Sequence, residues 1–136
     1  MESTELEVVT GDRRVVDLTA PVTAFCAGRG DGLCHVFAPH ATAGLALMEL
    51  GSGSEADLDA AIDRLLPRDD RYRHRHGSIG HGADHLLPVL IAPFLVLAVR
   101  SCRPVLGTWQ SIVLVDPNRD NPRRRIICSF LTDPTS

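Results

Sequence analysis

The stretch VLGTWQSIVLVDPNRDNPRRRIICSFL, residues 105–131, decides the fold class. Two β-rich apolar runs, 105–116 and 123–131, flank PNRDNP, whose prolines and Asx residues signal a turn. A further run, FLVLAVRS at 94–101, precedes them and reads as another strand. Earlier in the chain, GLCHVFA (32–38) and GLALMEL (44–50) read the same way. TELEVVT (4–10) and RRVVDLT (13–19) suggest a hairpin about Gly11-Asp12.

Helical signals are fewer. Thr19 and the early Pro21 predict a helix over 20–28, ended by Gly28 and Gly30. Ser54 precedes EADLDAAIDRLL, with Leu58, Ala61, Ile62, Leu65 and Leu66 at helical spacing until Pro67. ADHLLPVLIA is a further helical segment, and Pro88 must lie near its first turn or kink it. Strands outnumber helices without alternating regularly with them. The pattern therefore predicts a single α+β domain with a largely antiparallel sheet, not a doubly wound fold.

The chain has 136 residues, a formal charge of −3, and no apolar run near the ~20 residues that span a bilayer. Its acidic beginning, MESTELEVV, lacks the basic and apolar regions of a secretory signal, so a cytoplasmic location without membrane partners is expected. All 14 basic side chains are arginine, which removes Schiff-base and P-loop lysine chemistry. The mild acidity argues against non-specific nucleic-acid binding. Cys26, Cys34, Cys102 and Cys128 form no C-x-x-C pair and lie among apolar residues, which predicts buried reduced thiols.

Strand alternation places Glu49 in line with Leu45 and Leu47, and Gln110 with Thr108, Ile112 and Leu114. A polar group on such a row either has a specific partner or marks a strand end in water. His35 lies within a strand, where a satisfied edge or core histidine is expected. His40 and Thr42 belong to the loop before the Glu49 strand and can reach the edge of the same site. Among the histidines of YRHRHGSIGHGADHL (72–86), His81 and His85 are spaced as two ligands on one helix face. Gly80 and Gly82 flank His81 and oppose a helix that begins there, and His76 is expected to be solvated among arginines. Arg123 and Arg125 should face one way and Arg124 the other, as a phosphate or carboxylate clamp or as charged guards of the apolar strand.

HATAGLALME (40–49), DRYRH (70–74), ADHL (83–86), LGTWQSIVLVD (106–116) and NPRRRI (121–126) together resemble the YjbQ family, also called secondary thiamine-phosphate synthase. The resemblance implies a large mixed, mostly antiparallel sheet with two to three helices, assembled as a homotrimer. It implies a metal, with zinc expected, or an anion at the histidine cluster; as a metal site its ligands would be His40, His74 and His85, with catalytic roles for Glu49, His85 and Gln110. Thr42, Trp109, Arg123 and Arg125 would then bind a small phosphorylated metabolite. The implied activity is a weak thiamine-phosphate synthesis. The alternatives are metal-dependent hydrolysis of a phosphate compound, or a non-catalytic trimer that binds an anionic metabolite. Where this chain carries His81-Gly82-Ala83-Asp84-His85, family members usually carry Asn-Ala-Asp-Ala-His, so His81 stands in place of an amide.

Overall fold

The computed structural model describes residues 1–75 and 77–135, so His76 and Ser136 lie outside the described residues. Eight strands and four helical segments follow in the order β1 (Glu2–Val9), β2 (Val15–Asp17), α1 (Thr19–Cys26), β3 (Gly32–Phe37), β4 (Gly44–Met48), α2 (Ser54–Leu65), α3 (His81–Asp84), α4 (Leu87–Leu90), β5 (Phe94–Arg100), β6 (Arg103–Pro104), β7 (Ser111–Val115) and β8 (Arg123–Thr132). They form a five-stranded sheet in the order β1-β8-β3-β5-β6 and a three-stranded sheet in the order β2-β7-β4. Every described pairing is antiparallel. The α+β class with an antiparallel sheet is as the sequence predicts.

The two halves of the expected β1–β2 hairpin separate. β1 pairs with β8 while β2 pairs with β7, so the turn at Gly11 (φ 56°) crosses between sheets. The turn 116–122 makes the same crossing between β7 and β8. The two crossings are stapled together: Thr10 N–H donates to Pro122 O at 2.7 Å, and Asp116 N–H donates to Arg14 O at 2.8 Å.

Strand β7 explains the layering. Ile112 and Leu114 enter the main core between the sheets with Val36, Leu45, Ile126 and Phe130. Val113 and Val115 point the other way, onto Ile62, Leu66 and Leu87 of the helical layer. A strand buried on both faces reads as an unbroken apolar run, as IVLV does. Each such side chain contributes about 1.5–3 kcal/mol relative to its exposed state. In α2 the expected apolar face holds except at Leu65, which is 70 % exposed. Gly44 lets β4 approach the α4–β5 connection, since a Cβ there would lie 2.2 Å from Ile91 O.

Cys26, Cys34 and Cys128 are buried free thiols, and Cys102 is half-buried. Burial raises the Cys128 thiol to about 11 and raises Cys34 as well, so neither is a thiolate nucleophile. Among the described residues no helix is long and apolar enough to cross a membrane.

Alternation along β8 sends Arg123 and Arg125 outward and buries Arg124 at 3 % exposure. Its guanidinium is paired with buried Asp116, which also accepts from Thr42 Oγ1 at 3.2 Å and from Asn118 N–H at 3.0 Å. Removing one partner of such a pair strands a buried charge. Arg124→Leu should therefore destabilise the fold by about 3–5 kcal/mol, read from urea denaturation, and a wild-type midpoint would contradict this.

Candidate functional site

The histidine-rich segment folds around two close approaches that glycine permits. Gly80 takes φ 87° and opens α3, so the short helix does begin at His81, against the expectation from its flanking glycines. Gly82 then faces residues 72–74: a Cβ there would lie 2.7 Å from Tyr72 Cβ and 2.9 Å from His74 O. Without a side chain at 82, the Tyr72–His74 backbone lies directly on α3. Tyr72 is anchored by its hydroxyl, which donates to Pro67 O at 2.8 Å. Pro88 falls in the first turn of α4, as its missing N–H requires.

His81 and His85, one helical turn apart, bring their Nε2 atoms to 2.8 Å. His74 closes the group, with ring centroids 4.2 Å from His85 and 5.5 Å from His81. One donor atom from each of these three residues lies within 4.8 Å of the other two. Tetrahedral zinc with nitrogens at ≈ 2.0–2.1 Å places its donors roughly 3.3 Å apart, so small ring rotations would fit the trio to a cation. His74 and His81 line a cleft of about 220 Å³, with Tyr72, Arg75 and Ser78 on its wall.

A buried polar framework holds this trio from behind. Asp84 is 1 % exposed, pairs with Arg68, and accepts from Asn118 Nδ2 at 3.0 Å. The same Asn118 nitrogen lies 3.0 Å from His81 Nδ1, and Asp120 Oδ2 lies 3.2 Å from that ring nitrogen. Two successive Asx turns shape the loop: Asn118 N–H donates to Asp116 Oδ1 and Asp120 N–H donates to Asn118 Oδ1, each at 3.0 Å. Hydrogen bonds from Ser78 hold the Asp120 carboxyl below the usual carboxylate range, with help from nearby His81.

The remaining residues predicted for the site lie elsewhere. His40 is not grouped with His74 and His85; its Nε2 accepts the Arg125 N–H at 2.9 Å. The reason is sheet geometry: β3 stops pairing with β8 at Phe37–Ile127, and the His40 ring occupies the vacated edge two residues further along β8. Glu49 falls just beyond the end of β4, exposed and accepting from Ser52 Oγ at 3.1 Å. Gln110 precedes β7 and closes a turn, its Oε1 accepting Gly107 N–H at 2.8 Å, so strand alternation applies to neither residue. Trp109 is 73 % exposed in that turn. Thr42 is buried on Asp116. Arg123 and Arg125 face outward as predicted, paired with Glu7 at 2.5 Å and Glu5 at 3.5 Å, and share a second cleft with His40 and Asn121. His35 lies exposed on its strand between the rings of Phe37 and Phe94.

Sequence reading missed Arg68, Asp84, Asn118 and Asp120. The available signal was the alternation Asp116-x-Asn118-x-Asp120, a repeated Asx-turn pattern between two strands.

Burial, and then the charge of Arg124, push the His40 imidazole below its ordinary value of 6.5. Folding therefore favours neutral His40. Its contribution to stability is complete above pH 6.5 and is lost as pH falls from there toward the lowered folded value. His40→Gln should flatten the fall in denaturation midpoint below pH 6.5, and an unchanged pH profile would refute this.

A family model described as "UPF0047 protein YjbQ-like" matches residues 4–133. A UPF0047 protein of Mycobacterium tuberculosis is 60 % identical over 131 residues, spanning 96 % of this chain and 98 % of that protein. Among solved structures, a YbjQ-like protein of unknown function from Sulfolobus solfataricus superposes with a TM-score of 0.88 at 26 % identity, covering 97 % of each chain. A hypothetical protein from Aeropyrum pernix gives a TM-score of 0.86 at 29 % identity, over 98 % of this chain and 100 % of its own.

Proposed function

The chain belongs to the UPF0047 protein YjbQ-like family, and from that premise we propose a metal-dependent enzyme acting on a small phosphorylated metabolite at the His74–His81–His85 cleft. The observation that carries this reading is the convergence of three imidazole donors within 4.8 Å. Three neutral nitrogens suit zinc better than magnesium, which prefers carboxylate and phosphate oxygen. A zinc ion with three protein ligands supplies a Lewis acid and an acidified water at its open position.

The donor set therefore favours hydrolysis of a phosphate compound over the diphosphate-leaving transfer of thiamine-phosphate synthesis, which characteristically relies on magnesium and carboxylates. In this reading His81 replaces His40 as the third ligand, and Arg75 on the cleft wall offers a guanidinium to the substrate phosphate. His85 is a ligand and not a proton donor. His40, Arg123 and Arg125 belong to a separate cleft in which the two arginines are paired with Glu7 and Glu5, and Glu49 and Gln110 serve local turns.

The assembly is a homotrimer in this reading. Leu33, Phe94, Val96 and Leu131 are exposed together on the outer face of the five-stranded sheet, an apolar surface suited to a subunit contact. Four free cysteines suit the reducing cytoplasm.

Protein purified without a histidine tag should carry about one zinc per chain, the stoichiometry of a single three-histidine site, by elemental analysis. His74→Ala and His81→Ala should lose it, and His40→Ala should keep it. Release of phosphate from a panel of monoesters should disappear with the metal. Wild-type protein that takes up no zinc yet binds inorganic phosphate tightly would overturn the enzyme reading in favour of the anion-binding one.

A further inference from the structure

His81 Nδ1 meets two neighbours with opposite hydrogen-bonding demands. The amide of Asn118 is fixed in orientation, because its Oδ1 accepts the Asp120 N–H at 3.0 Å. Its Nδ2 therefore faces Asp84 Oδ2 and His81 Nδ1, each at 3.0 Å, and an amide nitrogen only donates. Asp120 Oδ2, 3.2 Å from the same ring nitrogen, only accepts when ionised.

Two proton arrangements of a neutral His81 satisfy these neighbours in turn. In one, Nδ1 accepts from Asn118 and Nε2–H donates to His85 Nε2, 2.8 Å away. In the other, Nδ1–H donates to Asp120 and the Nε2 lone pair can join the donor atoms of His74 and His85. The first is satisfied without a cation. Only the second leaves Nε2 able to bind one.

We propose that Asp120 and Asn118 are positioning residues that select the tautomer of His81, with Asn118 holding the cation-free arrangement and Asp120 the cation-binding one. The proposal rests on the three-histidine reading above and adds to it a device by which the protein sets its own cation affinity. When a cation binds, the His81 proton leaves Nε2 and a proton occupies Nδ1, so the ring carries one proton before and after. The Asp120 carboxylate then orients the ring and raises its basicity, as carboxylates do behind metal-binding histidines. Framework rigidity makes the selection sharp: Asn118 is 4 % exposed, and Gly77 packs on the ring and carboxylate, where a Cβ would lie 2.9 Å from His81 Nδ1 and 3.0 Å from Asp120 Oδ2.

The test has two readouts on the intact chain. Imidazole nitrogen NMR of zinc-free wild type should show His81 protonated at Nε2, and addition of zinc should move the proton to Nδ1. Chelator competition should show Asp120→Asn binding zinc about 10–100-fold more weakly than wild type at an unchanged melting temperature, since an amide oxygen in the Oδ2 position keeps the Ser78 contact and only the carboxylate charge behind His81 is lost. His81 protonated at Nδ1 before zinc is added would overturn the proposal. Equal zinc affinity for wild type and Asp120→Asn would also overturn it while leaving the three-histidine reading intact. A wild type that takes up no zinc would sink both.

Discussion

The buried pair between Arg124 and Asp116 is the constraint from which the rest of the architecture follows. Strand alternation in β8 drives Arg124 into the space between the two sheets, where an unpaired guanidinium would be intolerable. Asp116, the residue after β7, meets it. The pair thus ties the last strand of one sheet to the central strand of the other. Thr42, from the β3–β4 connection, fills another acceptor position on the carboxylate. Both sheet crossings run past this point, and their backbone bonds at Thr10–Pro122 and Arg14–Asp116 close around it.

The same pair reaches the histidines through the loop it anchors. Asp116 Oδ1 fixes the Asn118 N–H, and Asn118 in turn touches both Asp84 and His81. A continuous run of polar contacts therefore leads from the arginine strand to the cleft wall, with Asp116, Asn118 and Asp84 each under 5 % exposed. Low local dielectric strengthens such contacts and penalises any unmet group. The position of His81 in the cleft is consequently tied to the core, while Tyr72, His74 and Arg75 of the preceding arginine-rich segment supply the facing wall.

Much of the fold was legible because strands signal themselves through alternation and β-branched runs. IVLV, IICSFL and FLVLAV each became strands, and the opposed faces of Arg123 and Arg124 followed from period two alone. Pairing was not legible. Nothing local distinguishes a hairpin at Gly11-Asp12 from a crossing between sheets; that choice is made by Thr10 and Asp116 bonding to distant backbone. Strand ends were equally hidden. Alternation over 44–50 and 105–116 left Glu49 and Gln110 either on a core-facing row or at a strand end in water, and the second holds: β4 stops at Met48, β7 starts at Ser111, and both side chains close turns.

Within the candidate site, the i, i+4 spacing of His81 and His85 was sufficient to pair them, but the glycines around His81 read as helix breakers when they are what the packing requires. Gly80 supplies the left-handed entry and Gly82 admits His74. The departure at His81 also acquires a physical sense. The resemblance to the family implies an amide at the position of His81, and an amide stands beside that position here, contributed by Asn118 from the loop between β7 and β8. A residue-by-residue transfer of roles would mark His81 as a loss, and the geometry makes it the centre of the trio: its Nε2 meets His85, its ring stacks on His74, and its Nδ1 meets the framework.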